Sequence, residues 1–328
     1  MSKPEVIMRA TDLTKHFVGH QSIVGKIRGQ QPLTIPAVDG VTLELRAGET
    51  VGLVGESGCG KSTLGRTLVG LYPVSTGSLE LFGKPISDER TLEQRRAVQM
   101  IFQDPYASLN PRMSVGQMLK EVILFHHLLP KEKVEERCKE LMVLVGLPLS
   151  ALDSYPRQFS GGQRQRIGIA RALALQPKIL IADEAVSALD VSVQAAIVNL
   201  LEDLKRDLGL TMLFISHNIS VVRQISDRVC VMYLGRIVES GDATQVFENP
   251  VHPYTKLLLD SVPKMTPGSQ LGEAQAGELP SMAQKFVGCR FRGRCPVSIA
   301  SCATIDPLLV PISAGEHDAA CLLYPEYH

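Results

Sequence analysis

A glycine-rich stretch near residue 60 has the residue types and spacing of a phosphate-binding loop. It reads GESGCGKST and fits the pattern G-x-x-x-x-G-K-[ST]. Glycines let the backbone wrap closely enough for its N–H groups to point at phosphate oxygens, and the following helix adds the positive end of its dipole. We expect Lys61 to bridge the β- and γ-phosphates and Ser62 to coordinate Mg²⁺. The predicted nucleotide contacts are Gly55, Glu56, Ser57, Gly58, Cys59, Gly60, Lys61, Ser62 and Thr63.

Two acidic residues, Asp183 and Glu184, directly follow the apolar segment ILIA. Such a segment predicts a buried strand, and open α/β sheets bind ligands at the carboxyl ends of their strands. We expect Asp183 to hold Mg²⁺ through water, and Glu184 to orient or deprotonate the attacking water. Two acids after an apolar strand mean little alone. Together with a phosphate loop they strongly indicate nucleotide hydrolysis.

The stretch FSGGQRQRIGIARAL contains a second glycine motif. Ser160, Gly161 and Gly162 open a predicted helix, whose N-terminus is a second place for an anion to bind. An ordinary serine-capped helix would have the same local pattern. Combined with the two motifs above, FSGGQ resembles the LSGGQ signature of the ATP-binding subunits of ATP-binding cassette (ABC) transporters. The resemblance covers most of residues 5–250, with the motifs in the order of the family.

The resemblance implies roles for further residues. Phe17 in LTKHF resembles the aromatic residue that stacks on adenine, although a core phenylalanine is the alternative. Gln103 in IFQDP resembles the Q-loop glutamine, which contacts Mg²⁺ and the attacking water. Asp190 in SALD resembles the D-loop at the dimer interface, and His217 in FISHN resembles the switch histidine that contacts the γ-phosphate. Glu184, His217 and Gln103 are therefore the expected catalytic residues, and Ser62, Gln103 and Asp183 the expected Mg²⁺ contacts.

In this family two subunits enclose two ATP molecules, each between the phosphate loop of one subunit and the signature motif of the other. The resemblance therefore implies that the signature residues of this chain contact the ATP bound by its partner; they are Ser160, Gly161, Gly162 and Gln163.

Hydrophobic patterning predicts the elements that must position these residues. Residues 1–100 read mainly as strands, with the short apolar strand TVGLV before the phosphate loop and the helix KSTLGRTLVGLY after it. Apolar residues at helical spacing predict a mostly helical region from about 110 to 176. KILIAD and TMLFISH, with the helix VSVQAAIVNLLEDLKRDLG between them, predict a βαβ unit. DRVCVMYLGRIVESGD predicts a hairpin that turns near Leu234 and Gly235.

These elements and the resemblance define the expected fold class. It is an α/β, ABC-type P-loop nucleotide-binding domain with a RecA-like core, an antiparallel β subdomain and a helical subdomain, followed by a small cysteine-rich C-terminal tail. We expect the ATPase domain to span residues 1–263, with the helical subdomain at about 104–176. Residues 264–280 are rich in Gly, Pro, Ser and Gln and predict a linker, and residues 281–328 form the tail.

Four cysteines lie close together in the tail, at Cys289, Cys295, Cys302 and Cys321. None of them forms the tight pair, two to four residues apart, that is usual in structural zinc sites. Four thiolates in a loop-rich tail favour a [4Fe–4S] cluster, in which cysteine spacing varies more. A zinc site, disulfides or free thiols remain alternatives. A cluster would act as a structural clasp. Because every predicted nucleotide contact precedes residue 220, we expect the tail not to support nucleotide binding.

Composition limits the compartment and the partners. The 328 residues carry 34 Lys and Arg and 34 Asp and Glu, so the balanced charge gives no reason to expect a nucleic-acid partner. The N-terminus has no apolar core of a signal peptide, and no uncharged apolar run of about 18 residues predicts a membrane span. We therefore expect a reducing, cytosolic environment, which favours metal or redox chemistry over disulfides for the grouped cysteines.

Three stretches outside the ATPase motifs resemble the oligopeptide/dipeptide permease subfamily; they are QDPYASLNPR, NPVHPYTKLLLDSVP and GELPS. The resemblance implies an ATPase that powers import of dipeptides, oligopeptides or a related solute from the cytoplasmic face of the bacterial inner membrane. It implies a second, paralogous ATPase in a heterodimer, two transmembrane permeases and an extracytoplasmic substrate-binding protein. The alternative is a soluble ABC ATPase with an iron–sulfur domain, acting on RNA or ribosomes or in a phosphonate-processing assembly. The single phosphate loop and the balanced charge place the RNA or ribosome role lower.

Overall fold

A four-stranded and an eight-stranded sheet organise the computed structural model of the chain. The structure describes residues 4–19, 33–261, 280–284, 286–312 and 317–324. The strands are β1 (Val6–Val18), β2 (Thr34–Arg46), β3 (Thr50–Val54), β4 (Thr76–Leu81), β5 (Lys84–Pro85), β6 (Val98–Ile101), β7 (Ile179–Asp183), β8 (Thr211–Ile215), β9 (Arg228–Tyr233), β10 (Arg236–Asp242), β11 (Val310–Pro311) and β12 (His317–Ala319).

The helices in these ranges are α1 (Lys61–Val69), α2 (Leu92–Ala97), α3 (Pro105–Ser108), α4 (Val115–Phe125), α5 (Lys131–Leu144), α6 (Gly161–Leu173), α7 (Val191–Leu208), α8 (Ile219–Ile225), α9 (Ala243–Glu248) and α10 (Pro253–Asp260). Short 3₁₀ helices are formed by Leu149–Asp153, Pro156–Gln158 and Ala300–Ala303. Among the helices described, none has the length and apolar character needed to cross a membrane.

Five parallel strands form one side of the larger sheet, in the order β9-β3-β8-β7-β6, with β6 at the edge. Every residue of β3, β7 and β8 is buried, as expected for parallel strands covered on both faces. The predicted βαβ unit is confirmed, because β7 and β8 pair in parallel and α7 connects them. Sequence patterning did not predict β6, because this four-residue strand, VQMI, is too short to be distinguished from part of a helix.

The remaining predicted elements are also present. The smaller sheet has the antiparallel order β2-β1-β4-β5 and holds most of the strands predicted in the first 100 residues. The predicted helical region contains α4, α5 and α6, and both α4 and α6 begin with a serine–glutamine capping box. The predicted hairpin turn is formed by Leu234 and Gly235, both at positive φ, between β9 and β10.

The C-terminal residues pack on the ATPase body and add two strands to the edge of its main sheet. Sequence patterns did not predict this pairing. β12 pairs antiparallel with β10, and β11 pairs with β12. The fully buried Glu239 fixes this edge, since its carboxylate lies 2.8 Å from His317 Nε2 and accepts a hydrogen bond from the His252 backbone N–H at 2.9 Å. Apart from Pro280, the predicted linker 264–280 lies outside the described residues.

Candidate ATP site

The phosphate loop connects β3 to α1 and packs closely against the backbone of neighbouring segments. A Cβ atom at Gly55 would lie 2.2 Å from the Met232 carbonyl oxygen, and one at Gly60 would lie 2.1 Å from the Ala37 carbonyl oxygen. Gly60 also has φ 110°, a conformation that disfavours other residues. The hairpin turn supports the loop as well, because the Gly235 N–H donates to the Cys59 carbonyl oxygen at 2.8 Å.

Lys61 is the first residue of α1 and its ammonium lies within the loop. Its Nζ donates to the carbonyl oxygens of Gly55, at 2.7 Å, and of Glu56, at 2.9 Å. The residue is only 4 % exposed, so the ammonium is fixed by the loop rather than free in solvent. A fixed positive charge beside a helix N-terminus can compensate the charge of bound phosphates.

Asp183 and Ser62 form the part of the site that suits a divalent cation. Asp183 is fully buried, and its Oδ1 accepts a hydrogen bond from the Ser62 hydroxyl at 2.6 Å. Its Oδ2 has no hydrogen-bond partner among the described residues, and the Arg66 guanidinium lies 3.7 Å away. Burial raises the pKa of Asp183. A buried carboxylate oxygen without a partner beside a hydroxyl provides the hard oxygen ligands that Mg²⁺ prefers, so these residues fit the ion.

The three residues expected to be catalytic meet at one carboxylate oxygen. Glu184 Oε2 accepts a hydrogen bond from Gln103 Nε2 at 2.9 Å and lies 3.5 Å from His217 Nδ1. Gln103 follows β6, Glu184 follows β7 and His217 follows β8, so adjacent parallel strands bring them together. The cluster can hold and polarise a water molecule.

Glu184 has a left-handed backbone conformation, with φ 46°. Such a conformation costs a non-glycine residue about 1–3 kcal/mol, and strained residues of this kind cluster at functional sites. Two bonds hold it in place: the Glu184 N–H donates to the Ile215 carbonyl oxygen at 2.9 Å, and the Ser187 hydroxyl donates to the Glu184 carbonyl oxygen at 3.0 Å. No local sequence signal reveals this strain. In this backbone conformation the Glu184 side chain contacts Gln103 and His217.

Phe17 lies near the end of β1 and is 37 % exposed, so it is not a core residue. Its ring packs edge-to-face on Tyr72, with centroids 5.3 Å apart, and the Lys15 ammonium lies 5.3 Å from the Phe17 centroid. An exposed aromatic surface can stack on a purine base. Sequence reasoning missed Tyr72, although an aromatic residue at the end of the helix predicted after the phosphate loop is a signal that could have found it.

The signature motif lies at the N-terminus of α6. The Ser160 hydroxyl accepts from the Gln163 N–H at 3.3 Å, and the Gln163 side chain accepts from the Ser160 N–H at 3.0 Å. Gly162 packs against α7, because a Cβ there would lie 2.5 Å from a methyl group of Val193. Within the residues that the structure describes, Ser160, Gly161 and Gly162 have no hydrogen bond to the phosphate loop.

Asp190 caps the N-terminus of α7 and is exposed. Its Oδ1 accepts hydrogen bonds from the Val193 N–H at 2.9 Å and from the Ser192 hydroxyl at 2.8 Å. The backbone N–H of Val193 lowers the pKa of this carboxylate. Asp190 and Ser160 are both exposed, so a second subunit can reach both motifs.

The four cysteines of the tail line one small cavity of about 10 Å³; they are Cys289, Cys295, Cys302 and Cys321. All are free thiols, so the disulfide alternative is wrong for this structure. Burial raises the pKa of the Cys289 thiol to about 11. Across the described ranges, no group of three or more His, Cys, Asp or Glu side chains is close enough to hold a metal ion. The predicted cluster site is therefore not present as a preformed set of metal ligands.

The fold and the phosphate loop define an ATP-binding cassette. A profile described as ABC transporter matches residues 38–187, and one described as the C-terminal region of oligopeptide/dipeptide transporters matches residues 238–302. In fold, the chain resembles a dimeric ATP-binding cassette solved in a post-hydrolysis state with ADP and phosphate. The TM-score is 0.62 at 25 % identity, over 72 % of this chain and 99 % of that one.

Known transport proteins resemble the chain along almost its whole length. It is 47 % identical to the oligopeptide transport ATP-binding protein OppF of Salmonella typhimurium over 328 residues, which cover 97 % of this chain and 96 % of that protein. It is 44 % identical to the di/tripeptide transport ATP-binding protein DppF of Pseudomonas aeruginosa, over 93 % of this chain and 94 % of that protein. The chain belongs to the oligopeptide/dipeptide family of ABC transporter ATP-binding proteins.

Proposed function

We propose that this chain binds and hydrolyses ATP to drive peptide import through an ABC transporter. The observation that carries the proposal is the meeting of Gln103, Glu184 and His217 at one oxygen, beside a phosphate loop and a buried aspartate. The full-length similarity to peptide transport ATP-binding proteins supports the class of solute. Nothing in the geometry or the similarity favours the alternative role on RNA, ribosomes or phosphonates.

Each site residue has a distinct part in the proposed reaction. Lys61 and the loop N–H groups bind the phosphates, and Phe17 stacks on adenine. Ser62, Asp183 and Gln103 would hold Mg²⁺, which neutralises charge on the transferred phosphoryl group when bound. The Glu184 carboxylate accepts a proton from the attacking water as general base, and the contacts to Gln103 and His217 orient that carboxylate.

The proposed assembly follows from the two halves of the site. The phosphate loop and the signature serine are not hydrogen-bonded within the described part of one chain, which supports completion of each ATP site by a second subunit. The proposed partner is a paralogous ATPase. Two transmembrane permeases and an extracytoplasmic binding protein complete the transporter, which places the chain at the cytoplasmic face of the bacterial inner membrane.

The ATPase activity of the assembled transporter tests this proposal. The chain is purified alone and with its partner ATPase, permeases and binding protein, and phosphate release is measured with and without a mixture of di- and oligopeptides. We expect slow hydrolysis by the isolated chain and peptide-stimulated hydrolysis by the complex. Full activity from the isolated monomer would contradict the composite site, and a complex that hydrolyses ATP but ignores peptides would contradict the class of solute.

We also propose that residues 1–263 form the ATPase domain and residues 281–328 a cysteine-rich C-terminal extension, in which four cysteines hold a [4Fe–4S] cluster. The cavity shared by Cys289, Cys295, Cys302 and Cys321 supports the ligand assignment. Thiolates on one zinc ion lie about 4 Å apart, since Zn–S bonds are about 2.3 Å, whereas cluster thiolates bind separate iron atoms. The described residues contain no preformed group of metal ligands, so the choice of a cluster over zinc rests on the spacing of the four cysteines in the sequence.

Metal analysis after purification without oxygen tests the cluster. We expect about four iron atoms per chain, brown colour, and loss of both in Cys295→Ser. One zinc per chain without iron, or no metal in anaerobic material, would contradict the proposal.

A further inference from the structure

Among the described residues of the extension, Arg294 contacts the phosphate loop through its side chain. We propose that Arg294 is a positioning residue for ATP binding, which holds the loop and neutralises the carboxylate of Glu56. This inference rests on the proposed ATP site and differs from the expectation that the tail has no part in nucleotide binding. Arg294 lies 238 residues from Glu56 along the chain.

The contact between the two side chains is bidentate and sheltered. Arg294 Nη1 donates to Glu56 Oε2 and Nη2 donates to Glu56 Oε1, both at 2.9 Å. The side chains are only 13 % and 24 % exposed. A paired fork of this kind fixes the orientation of the carboxylate as well as its charge, and a lysine in place of the arginine could not reproduce it.

Glu56 transmits this contact to the phosphate-binding lysine. Its carbonyl oxygen accepts a hydrogen bond from Lys61 Nζ at 2.9 Å, and its N–H donates to the Tyr254 hydroxyl at 2.9 Å. Glu56 is therefore held at its side chain, its N–H and its carbonyl group by three different parts of the chain. The position of the Lys61 ammonium depends on the position of this residue.

Arg294 is itself fixed by a buried aromatic cluster. Phe291, three residues before it, is buried and packs on Tyr233 and Tyr254, with ring centroids 5.3 and 5.5 Å away. The Arg294 N–H donates to the Phe291 carbonyl oxygen at 2.9 Å. Nearby, Arg290 donates to the Leu234 carbonyl oxygen in the turn that supports the phosphate loop. The segment that carries Arg294 is therefore anchored close to the phosphate loop.

Electrostatics predicts what loss of Arg294 does. A carboxylate in the phosphate loop repels the negatively charged phosphates unless it is neutralised, because the loop is partly shielded from water. Without Arg294 the charge of Glu56 is unpaired, so ATP binds less tightly. The catalytic carboxylate, Glu184, is not part of this network. The maximal rate at saturating ATP should therefore change far less than the KM for ATP.

The test is a set of full-length variants assayed in the assembled transporter; they are Arg294→Gln, Glu56→Gln, the double variant Arg294→Gln/Glu56→Gln, and Arg292→Gln as the matched control. Arg292 lies in the same extension and donates instead to the Ala303 carbonyl oxygen at 2.9 Å. We expect Arg294→Gln to raise the KM for ATP about tenfold, the size of a lost charge-assisted hydrogen bond, with kcat within about twofold. Arg292→Gln should leave both unchanged.

The double variant separates the effect of the unpaired Glu56 charge from general damage to the protein. Removing the Glu56 carboxylate from Arg294→Gln takes away the unpaired charge, so the KM should fall back towards the wild-type value. A protein that had only lost stability would not recover in this way. An unchanged KM in Arg294→Gln, or a double variant as weak as the single one, would overturn the inference. If the wild-type complex itself shows no saturable ATP dependence, the proposed ATP site fails instead.

Discussion

Replacement of Glu184 by glutamine tests the catalytic centre. Glutamine keeps the size of the side chain and one oxygen that can still accept from Gln103 Nε2. It carries no negative charge, so it cannot draw a proton from water. General base catalysis contributes about 10²- to 10⁴-fold to a rate, which corresponds to about 3–5 kcal/mol of the activation barrier. We expect turnover in the assembled transporter to fall by that factor.

ATP binding should survive the same change. The Glu184 side chain is hydrogen-bonded to Gln103 and contacts His217, whereas Lys61 is fixed by the loop carbonyls. Affinity is measured with a fluorescent ATP analogue, and turnover by phosphate release in single-turnover experiments. Glu132→Gln, at an exposed position in the first turn of α5, is the control and should behave as wild type. Turnover near the wild-type rate in Glu184→Gln would refute the assignment of Glu184 as the base.

Three further changes test other parts of the site. Lys61→Ala should weaken ATP binding by at least about tenfold, because the phosphate charge loses its nearest partner; equal affinity in equilibrium binding would contradict the assignment. Phe17→Ala should weaken binding by about 1–3 kcal/mol if its exposed ring stacks on adenine, and binding of free triphosphate should not change. Burial raises the folded pKa of Asp183, so its ionised form costs stability above the unfolded pKa, and the cost disappears at lower pH. Asp183→Asn should therefore raise the melting temperature without nucleotide, by about 2–4 °C for each kcal/mol recovered, and an unchanged value at neutral pH would contradict this.

The sequence predicted the parts of the site that have local signals. The phosphate loop, the acids after β7 and the capped start of α6 are short patterns with a direct physical meaning. The parallel strands were predicted because a buried strand reads as a continuous apolar run. Their order along the sheet then explains why Gln103, Glu184 and His217 meet, since each follows one of three adjacent strands.

Other features depend on contacts between distant segments and could not be predicted. The strained backbone of Glu184 is produced by the strands around it and has no signal in the residue type. β12, which pairs with β10, has only three residues, and they show no clear alternation of apolar and polar side chains that would predict a strand. The contact between Arg294 and Glu56 joins two ordinary charged residues, which local patterns would assign to a solvated surface. The proposed boundaries of the domains and the roles of the site residues stay predictions for the experiments above.

Peptide transport in sealed vesicles tests the central claim most directly. The chain is reconstituted with its partner ATPase, permeases and binding protein, with the ATP sites facing outwards and ATP outside. Movement of a labelled tripeptide from the vesicle lumen, where the binding protein is enclosed, to the outside is then followed. The account predicts ATP-dependent movement by the wild type and none with Glu184→Gln, which should still bind ATP. Equal movement by the variant, or by the wild type without ATP, would contradict it.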